Sequence, residues 1–202
     1  VTAHPDQAAP RNGLRERKKA KTRAKIRQHA LRLCAEQGYE ATTVEQIAEA
    51  AEVSLSTVFR YFPTKDQLIV SDGYDPVVVD AFRAQPAELK PLEAVRAAFR
   101  AAFRDMSAEE ISERRERQAL VLAVPELWAA SLTNIKRTQR MLAELVAERA
   151  GREPDDPAVR TFAATVFGIT LSVWLNWAEN PDLDAMTALD EGLAYLEQGL
   201  PL

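Results

Sequence analysis

The chain has one cysteine, Cys34, and two histidines, His4 and His29, in 202 residues. A single cysteine excludes an internal disulfide framework, and a cytoplasmic setting is the natural expectation. Cys34 falls at helical spacing with Ile26, Ala30 and Leu33, which makes it a buried structural thiol. The sequence also lacks H-E-x-x-H, C-x-x-C and any glycine-rich phosphate loop. No catalytic residue, metal ligand or cofactor is therefore expected. The acid pairs Glu109-Glu110 and Asp155-Asp156 do not alter this, because adjacent helical residues diverge and both pairs stand at helix starts, where a carboxylate favours the helix dipole. Residues 1–13 hold no apolar run long enough for a signal-peptide core. Strand-like alternation, tandem repeats and low-complexity blocks are missing as well.

What is present is a globular composition, 47% hydrophobic, with charge of the two signs held apart. Residues 1–65 carry 12 Lys/Arg against 7 Asp/Glu, a net +5, and residues 66–202 carry 14 against 23, a net −9. A basic head on an acidic body is the distribution expected when only the head meets phosphate. Nine of the basic residues fall between positions 11 and 27, opposed by Glu16 alone. Such a run suits a phosphate backbone or a minor groove as well as it suits solvent. Residues 1–19 read as a flexible basic arm, with Lys21 and Arg23 as contacts at the start of an ordered helix that runs to Gln37 and stops at Gly38.

The stretch 43–65, TVEQIAEAAEVSLSTVFRYFPTK, predicts two short helices joined by a tight turn. Thr43 and Gln46 have capping-box spacing, and Val44, Ile47, Ala48 and Ala51 form an apolar face. Ser54 is placed to cap a second helix whose inner face carries Val58 and Phe62, four residues apart. Pro63 ends it, after which Thr64 is placed to cap the next. The side opposite Val58 and Phe62 shows Ser56, Thr57 and Arg60, with Phe59 and Tyr61 on the flanks. Hydroxyls and a guanidinium suit base edges and phosphates, and aromatics suit sugars and thymine methyls.

These residues resemble the DNA-binding domain of the TetR/AcrR family of bacterial regulators over about residues 20–68. The pattern is Gly38-Tyr39, Thr43, Ile47-Ala48, Val53-Ser54, Thr57, an aromatic at 59, Tyr61-Phe62 and Lys65. The resemblance implies a homodimer on double-stranded operator DNA. Thr43 and Lys65 would donate to phosphates, Thr57 and Tyr61 would touch backbone or bases, and Ser54 and Ser56 would face the groove. Three departures stand out: Glu52 where the family usually has glycine, Leu55-Ser56 for a common Lys-Gly pair, and Phe59 for a tyrosine. Leu55 gives up a cation and Phe59 a hydroxyl donor, so the operator sequence is not inherited.

The remainder reads as helical: a break between Gly73 and Pro76, a helix over 91–106, a capping box at Ser107 and Glu110, a helix to about 124, one from Pro125 to Gly151, one from Asp156 to about 178, and one over 184–198. The fold class expected is all-α, with a three-helix helix-turn-helix domain over 20–66 and a larger helical ligand-binding and dimerisation domain over 67–202. In the resembling family the middle helices enclose a small-molecule effector, which assigns Phe99, Phe103, Met106, Leu120, Leu127, Trp128 and Met141 to a pocket. Each is equally at home in a plain core. Arg96, Arg100 and Arg104 form a row suited to an anionic ligand or to solvent. Residues 161–178 contain no charge, yet Thr161, Thr165, Gly168, Thr170, Ser172 and Asn176 dilute the segment too far for a membrane span. A helix buried against its own domain and against a second copy is the better reading, and in the resembling family these positions, Phe167, Leu171, Trp174, Leu193 and Leu196, pair two protomers. The C-terminal segment also resembles an actinobacterial subgroup found beside mycofactocin genes, which implies a hydrophobic or acyl-type effector. The rival reading is a non-enzymatic helical carrier or scaffold whose two-helix motif is only structural.

Overall fold

The computed structural model describes residues 11–70, 76–104, 106–180 and 182–201, and those residues form ten helices and no strand. The chain divides into two compact units, Val1–Ile69 and Val70–Leu202.

The first unit contains α1 (Arg11–Gln37), α2 (Val44–Ala50), α3 (Leu55–Tyr61) and α4 (Asp66–Ile69). Helix α1 begins at Arg11, so it enters the stretch expected to be a flexible arm and takes in nine residues ahead of position 20. Its 11–37 run contains neither proline nor an internal break, and Gly38, at φ +87°, takes the left-handed turn that ends it. Ile26, Ala30 and Cys34 recur every fourth residue on its buried face. Helix α1 packs on α2 and α4, and α2 on α3, and Ile47, Ala48, Ala51, Val58, Phe62, Leu68 and Ile69 are buried in the same unit. Each large aliphatic side chain so enclosed contributes about 2 kcal/mol of burial. Burial also pushes the Cys34 thiol up from its ordinary pKa, which keeps it protonated and structural. Helix α4 starts at Asp66, so Lys65 rather than Thr64 occupies the position before its first turn.

The second unit contains α5 (Pro76–Arg83), α6 (Pro91–Phe103), α7 (Ala108–Ala123), α8 (Pro125–Ala150), α9 (Pro157–Glu179) and α10 (Ala185–Glu197). Helix α6 ends at Phe103, short of Met106, and the proposed break at Gly73 and Asp75 lies outside the described residues. Helix α5 packs on α6, α9 on α7, α8 and α10, and α10 also on α6. The main core is Phe82, Ala94, Val95, Ala98, Leu145, Val166, Leu189 and Leu193. Ser107 and Asp184 cap α7 and α10, and Gly151, at φ +64°, ends α8. Arg149 of α8 reaches the end of α5, where its two terminal nitrogens donate to the carbonyls of Phe82, Gln85, Pro86 and Leu89 at 2.7–3.3 Å. One guanidinium thus ties α8 to four carbonyls at the end of α5 and the following turn, of which those of Phe82 and Pro86 also accept from the Gln85 and Leu89 amides.

In the arginine row, Arg96 and Arg100 are neither a ligand trap nor a solvated face, whereas Arg104, just past the end of α6, is exposed. Arg96 donates Nε and Nη2 to the two oxygens of Asp190 at 3.1 Å each and Nη1 to Glu197 at 2.6 Å, and Arg100 adds a 2.6 Å bond to Asp190. These bonds hold Asp190 below the usual carboxylate range and brace α10 against α6.

Candidate nucleic-acid interface

Two caps fix the pair of short helices in the first unit. Thr43 Oγ1 accepts from the Gln46 amide at 3.2 Å while Gln46 Oε1 accepts from the Thr43 amide at 2.8 Å, completing the capping box. The same Gln46 oxygen takes a 2.9 Å bond from Gln37 Nε2, which ties the end of α1 to the start of α2. Buried Thr42 adds a bond to the Gly38 carbonyl at 2.8 Å. Ser54 Oγ accepts from the Thr57 amide at 3.2 Å and lies within 3.0 Å of Ser56 Oγ and 2.8 Å of Thr57 Oγ1. The hydroxyls at the start of α3 therefore act as one hydrogen-bonded group.

Between the helices, Glu52 has φ +55°, the left-handed conformation that favours glycine. Lys25 Nζ donates to its carboxylate at 2.8 Å, which binds the turn to α1 and holds the Glu52 carboxyl below its usual range. One α1 cation is thereby neutralised by the residue that departs from the family pattern.

Val58 and Phe62 are buried and hold α3 by its inner face. Leu55, Ser56, Phe59 and Arg60 are exposed, with Leu55 36% and Phe59 45% accessible. Phe59 thus lies on the outer face and not on its flank. Thr57 is half-buried, its hydroxyl drawn to Ser54, and half-buried Tyr61 lies under Arg60, whose guanidinium is 5.3 Å from its ring centre.

The cations divide into two sets. Lys21 is exposed, but Arg23 turns inward over Phe62, as does Arg27, each 5.4 Å from the ring centre. Arg27 Nε also donates to the Leu68 carbonyl at 3.2 Å. Lys65 donates to the Tyr39 carbonyl at 2.6 Å, lies 4.1 Å from the Tyr39 ring centre, and caps the loop after α1. Its ammonium is held by the protein, which corrects its expected place as an outward phosphate donor. Sequence reasoning missed Lys25, Gln37 and Arg27, whose partners lie 9 to 41 positions away.

In the second unit the expected pocket residues separate. Phe103 and Met106 line a cavity of about 120 Å³ together with Ile111, Arg114, Trp174 and Trp177. Phe99 stacks on Phe103 but does not line it, and Met141 packs against the main core. Leu120 and Trp128 are half-buried away from this cavity, and Leu127 is wholly enclosed by protein. Among the expected interface residues, Leu193 is fully buried in its own unit, so a second copy has no surface of it to touch. Phe167, Leu171 and Leu196 are half-buried, and Trp174 packs on Phe103 and Trp177. Helix α9 is long and apolar enough to cross a membrane by composition, but its outward row, Thr161, Ala164, Gly168, Ser172 and Asn176, is small and polar. No group of three metal-ligating side chains occurs among the described residues.

Residues 26–71 match a family model described as bacterial regulatory proteins of the tetR family, and residues 89–201 match one described as the MftR C-terminal domain. The transcriptional regulator TcmR of Streptomyces glaucescens is 37% identical over 162 residues, 77% of this chain and 72% of its own length. MftR of Mycobacterium tuberculosis, named for regulation of mycofactocin biosynthesis, is 28% identical over 195 residues, 91% and 93% of the two chains. The crystal structure of Thermus thermophilus FadR with lauroyl-CoA shares the fold, with a TM-score of 0.56 and 24% identity over 89% of this chain and 95% of that one.

Proposed function

The chain belongs to the TetR family of bacterial transcriptional regulators, and from that premise we propose that it is a homodimeric repressor, released from a palindromic operator by a small hydrophobic effector. The observation that carries the DNA reading is the outer face of α3. A helix of seven residues is anchored by Val58 and Phe62, its first turn is tied by Ser54, and it presents Leu55, Ser56, Phe59 and Arg60 outward in one band. A helix so placed fits a major groove, where Arg60 and Ser56 bond base edges and Leu55 and Phe59 pack on thymine methyls. Exposed Lys21 and the Thr43 end of α2 anchor phosphates, while Arg23, Arg27 and Lys65 hold the frame that aims α3.

Two such heads gain affinity when tethered, and the outward row of α9 supplies a seam for a second copy. Two open clefts, of about 630 and 700 Å³, flank that row near Thr161, as they would beside a helix meant to be covered. The effector acts in the second unit and lowers operator affinity through coupling between the two sites. The protein works in the cytoplasm, where both DNA and effector reach it.

Fluorescence anisotropy of labelled duplexes from either side of the gene, with random duplex as control, tests this reading. Tight binding to one palindromic segment is expected, with log affinity falling linearly in log salt by about 0.9 per phosphate neutralised. Equal binding to random duplex and to every flanking segment would overturn the operator assignment.

A further inference from the structure

Four aromatic rings run in a continuous line from α6 to α9. Phe99 stacks on Phe103 with centres 6.3 Å apart, Phe103 meets Trp174 at 5.9 Å, and Trp174 meets Trp177 edge-on at 5.2 Å. Three of these rings wall the cavity of about 120 Å³, which lies where the end of α6, the start of α7, the later part of α9 and the start of α10 come together. We propose that this cavity is the receptor for a neutral, planar, single-ring aromatic molecule, held by Phe103, Trp174 and Trp177 without an ionic partner. The proposal rests on the reading of the second unit as the effector-sensing part, and it names the chemical class sensed.

Size selects first. An apolar cavity of about 150 Å³ admits benzene, so one of this volume suits a single ring and excludes a long acyl chain. Shape selects next, because flat walls set at 46° and 65° to one another meet a planar ligand in offset and edge-on contacts that a saturated ring does not offer. Charge is selected against, because the two ionic side chains of the wall, Arg114 and Asp184, are already engaged. The Arg114 guanidinium lies 5.2 Å from the Phe103 ring centre and interacts with the Glu110 carboxylate one turn before it on α7. The Asp184 carboxylate accepts from the Met186 and Thr187 amides at 3.0 and 3.2 Å and from the Thr187 hydroxyl at 2.8 Å, so it is turned to the start of α10. A ligand carboxylate or ammonium would shed its water here and meet only charges that are taken, a cost that a neutral ring escapes. Met106, Ile111, Leu183 and Met186 complete an apolar wall. A ring seated among these groups ties the end of α6 to α9, the helix that bears the outward seam.

The chain has three methionines, which provide a direct test. Met106 and Met186 line the cavity, whereas Met141 packs against the main core. In methyl-¹³C-methionine NMR of the full chain, benzene should produce saturable ring-current shifts of the Met106 and Met186 methyls, with an apparent Kd of about 1 mM or tighter, and leave Met141 in place. Cyclopentane, a saturated ring of similar bulk, should compete with benzene about fivefold less well than benzene itself binds. Benzoate and benzylamine should compete about tenfold less well, since each brings a charge that the wall does not meet. Phe103→Leu, which removes one flat wall, should narrow the preference for benzene over cyclopentane to about twofold. Equal competition by cyclopentane would overturn the planar selectivity, equal competition by benzoate or benzylamine the neutrality, and silent Met106 and Met186 methyls the site itself. An undiminished preference in the Phe103 variant would take the aromatic wall out of the selection. A displaced Met141 methyl would show that variant to be misfolded, and the wild-type ligand series would then decide alone. Operator affinity is read separately. Saturation by benzene without any loss of operator affinity would overturn the cavity's role as a sensor, whereas shifts in a protein that binds no operator would remove the regulator reading alone.

Discussion

Helix α3, held by Val58 and Phe62, turns two further large apolar side chains, Leu55 and Phe59, outward, whereas α9, uncharged from Thr161 to Ala178, turns outward Thr161, Ala164, Gly168, Ser172 and Asn176. The first departs from a helix facing only water by exposing bulk and the second by carrying no charge, and the departures suit different partners. A duplex groove offers scattered methyls among polar edges, so a reader needs a few large apolar contacts carried beside hydroxyls and a cation. A helix-to-helix seam needs close approach over several turns, which small residues at 3- and 4-residue spacing permit. The same chain thus exposes bulk where it is to probe and smallness where it is to pack.

The strongest way to break that comparison is Gly168→Arg. A Cβ at 168 meets no atom within 4 Å, so the substitution leaves the fold of the single chain intact and places a long cation in the middle of the seam. Sedimentation equilibrium should show monomers, the helical circular dichroism signal should be unchanged, and operator affinity should fall by about 100-fold as the two heads lose their tether. A dimer of normal affinity in this variant would remove the seam from α9.

The frame that carries this contrast was legible in the sequence, whereas the outward faces were not, since periodicity puts Phe59 on a flank and does not single out the small row of α9. Capping boxes are local, so Thr43 with Gln46, Ser107 with Glu110 and the caps Ser54 and Asp184 follow from spacing alone. The inner faces of α2 and α3 follow in the same way from periodicity. Fates of long side chains are not local. Arg23 and Lys65 read as phosphate donors because each is basic and well placed, yet an aromatic face and a pair of loop carbonyls, 39 and 26 positions away, claim them first. Arg96 and Arg100 looked idle until the fold brought Asp190 across from α10. Leu193 and Trp174 show the same limit for apolar residues, since periodicity identifies a buried face without saying whether its own core or a second copy covers it.

The α3 side of the comparison is sharpened by a double-mutant cycle between protein and DNA. Replacing Phe59 by alanine should weaken the selected operator about tenfold, and replacing the contacted thymine by deoxyuridine should weaken wild-type binding about fourfold, the worth of one buried methyl. In the Phe59→Ala protein the deoxyuridine change should cost nothing, because the methyl has lost its partner. Additive losses in anisotropy titrations would place Phe59 away from the thymine and leave its exposure without a reader's role.

The smallest effect concerns the brace beside the α9 seam. Arg96 and Arg100 hold Asp190 ionised to lower pH than an unfolded aspartate, so the pairing stabilises the second unit fully above about pH 4 and is lost as pH falls through the depressed folded value. Asp190→Asn removes the charge at every pH. It should cost about 0.5–1 kcal/mol in urea unfolding at pH 7, a modest figure because the site is partly open to solvent. The gap between wild type and variant should narrow as pH falls below about 4 and close once the wild-type carboxyl has also gained its proton. Operator affinity at pH 7 should be unchanged, because α3 and its caps lie in the other unit. A stability gap that persists undiminished to pH 3 would mean that Asp190 holds α10 through shape rather than charge, and the seam's support would then have to be sought in the packing of Leu189, Leu193 and Ile169.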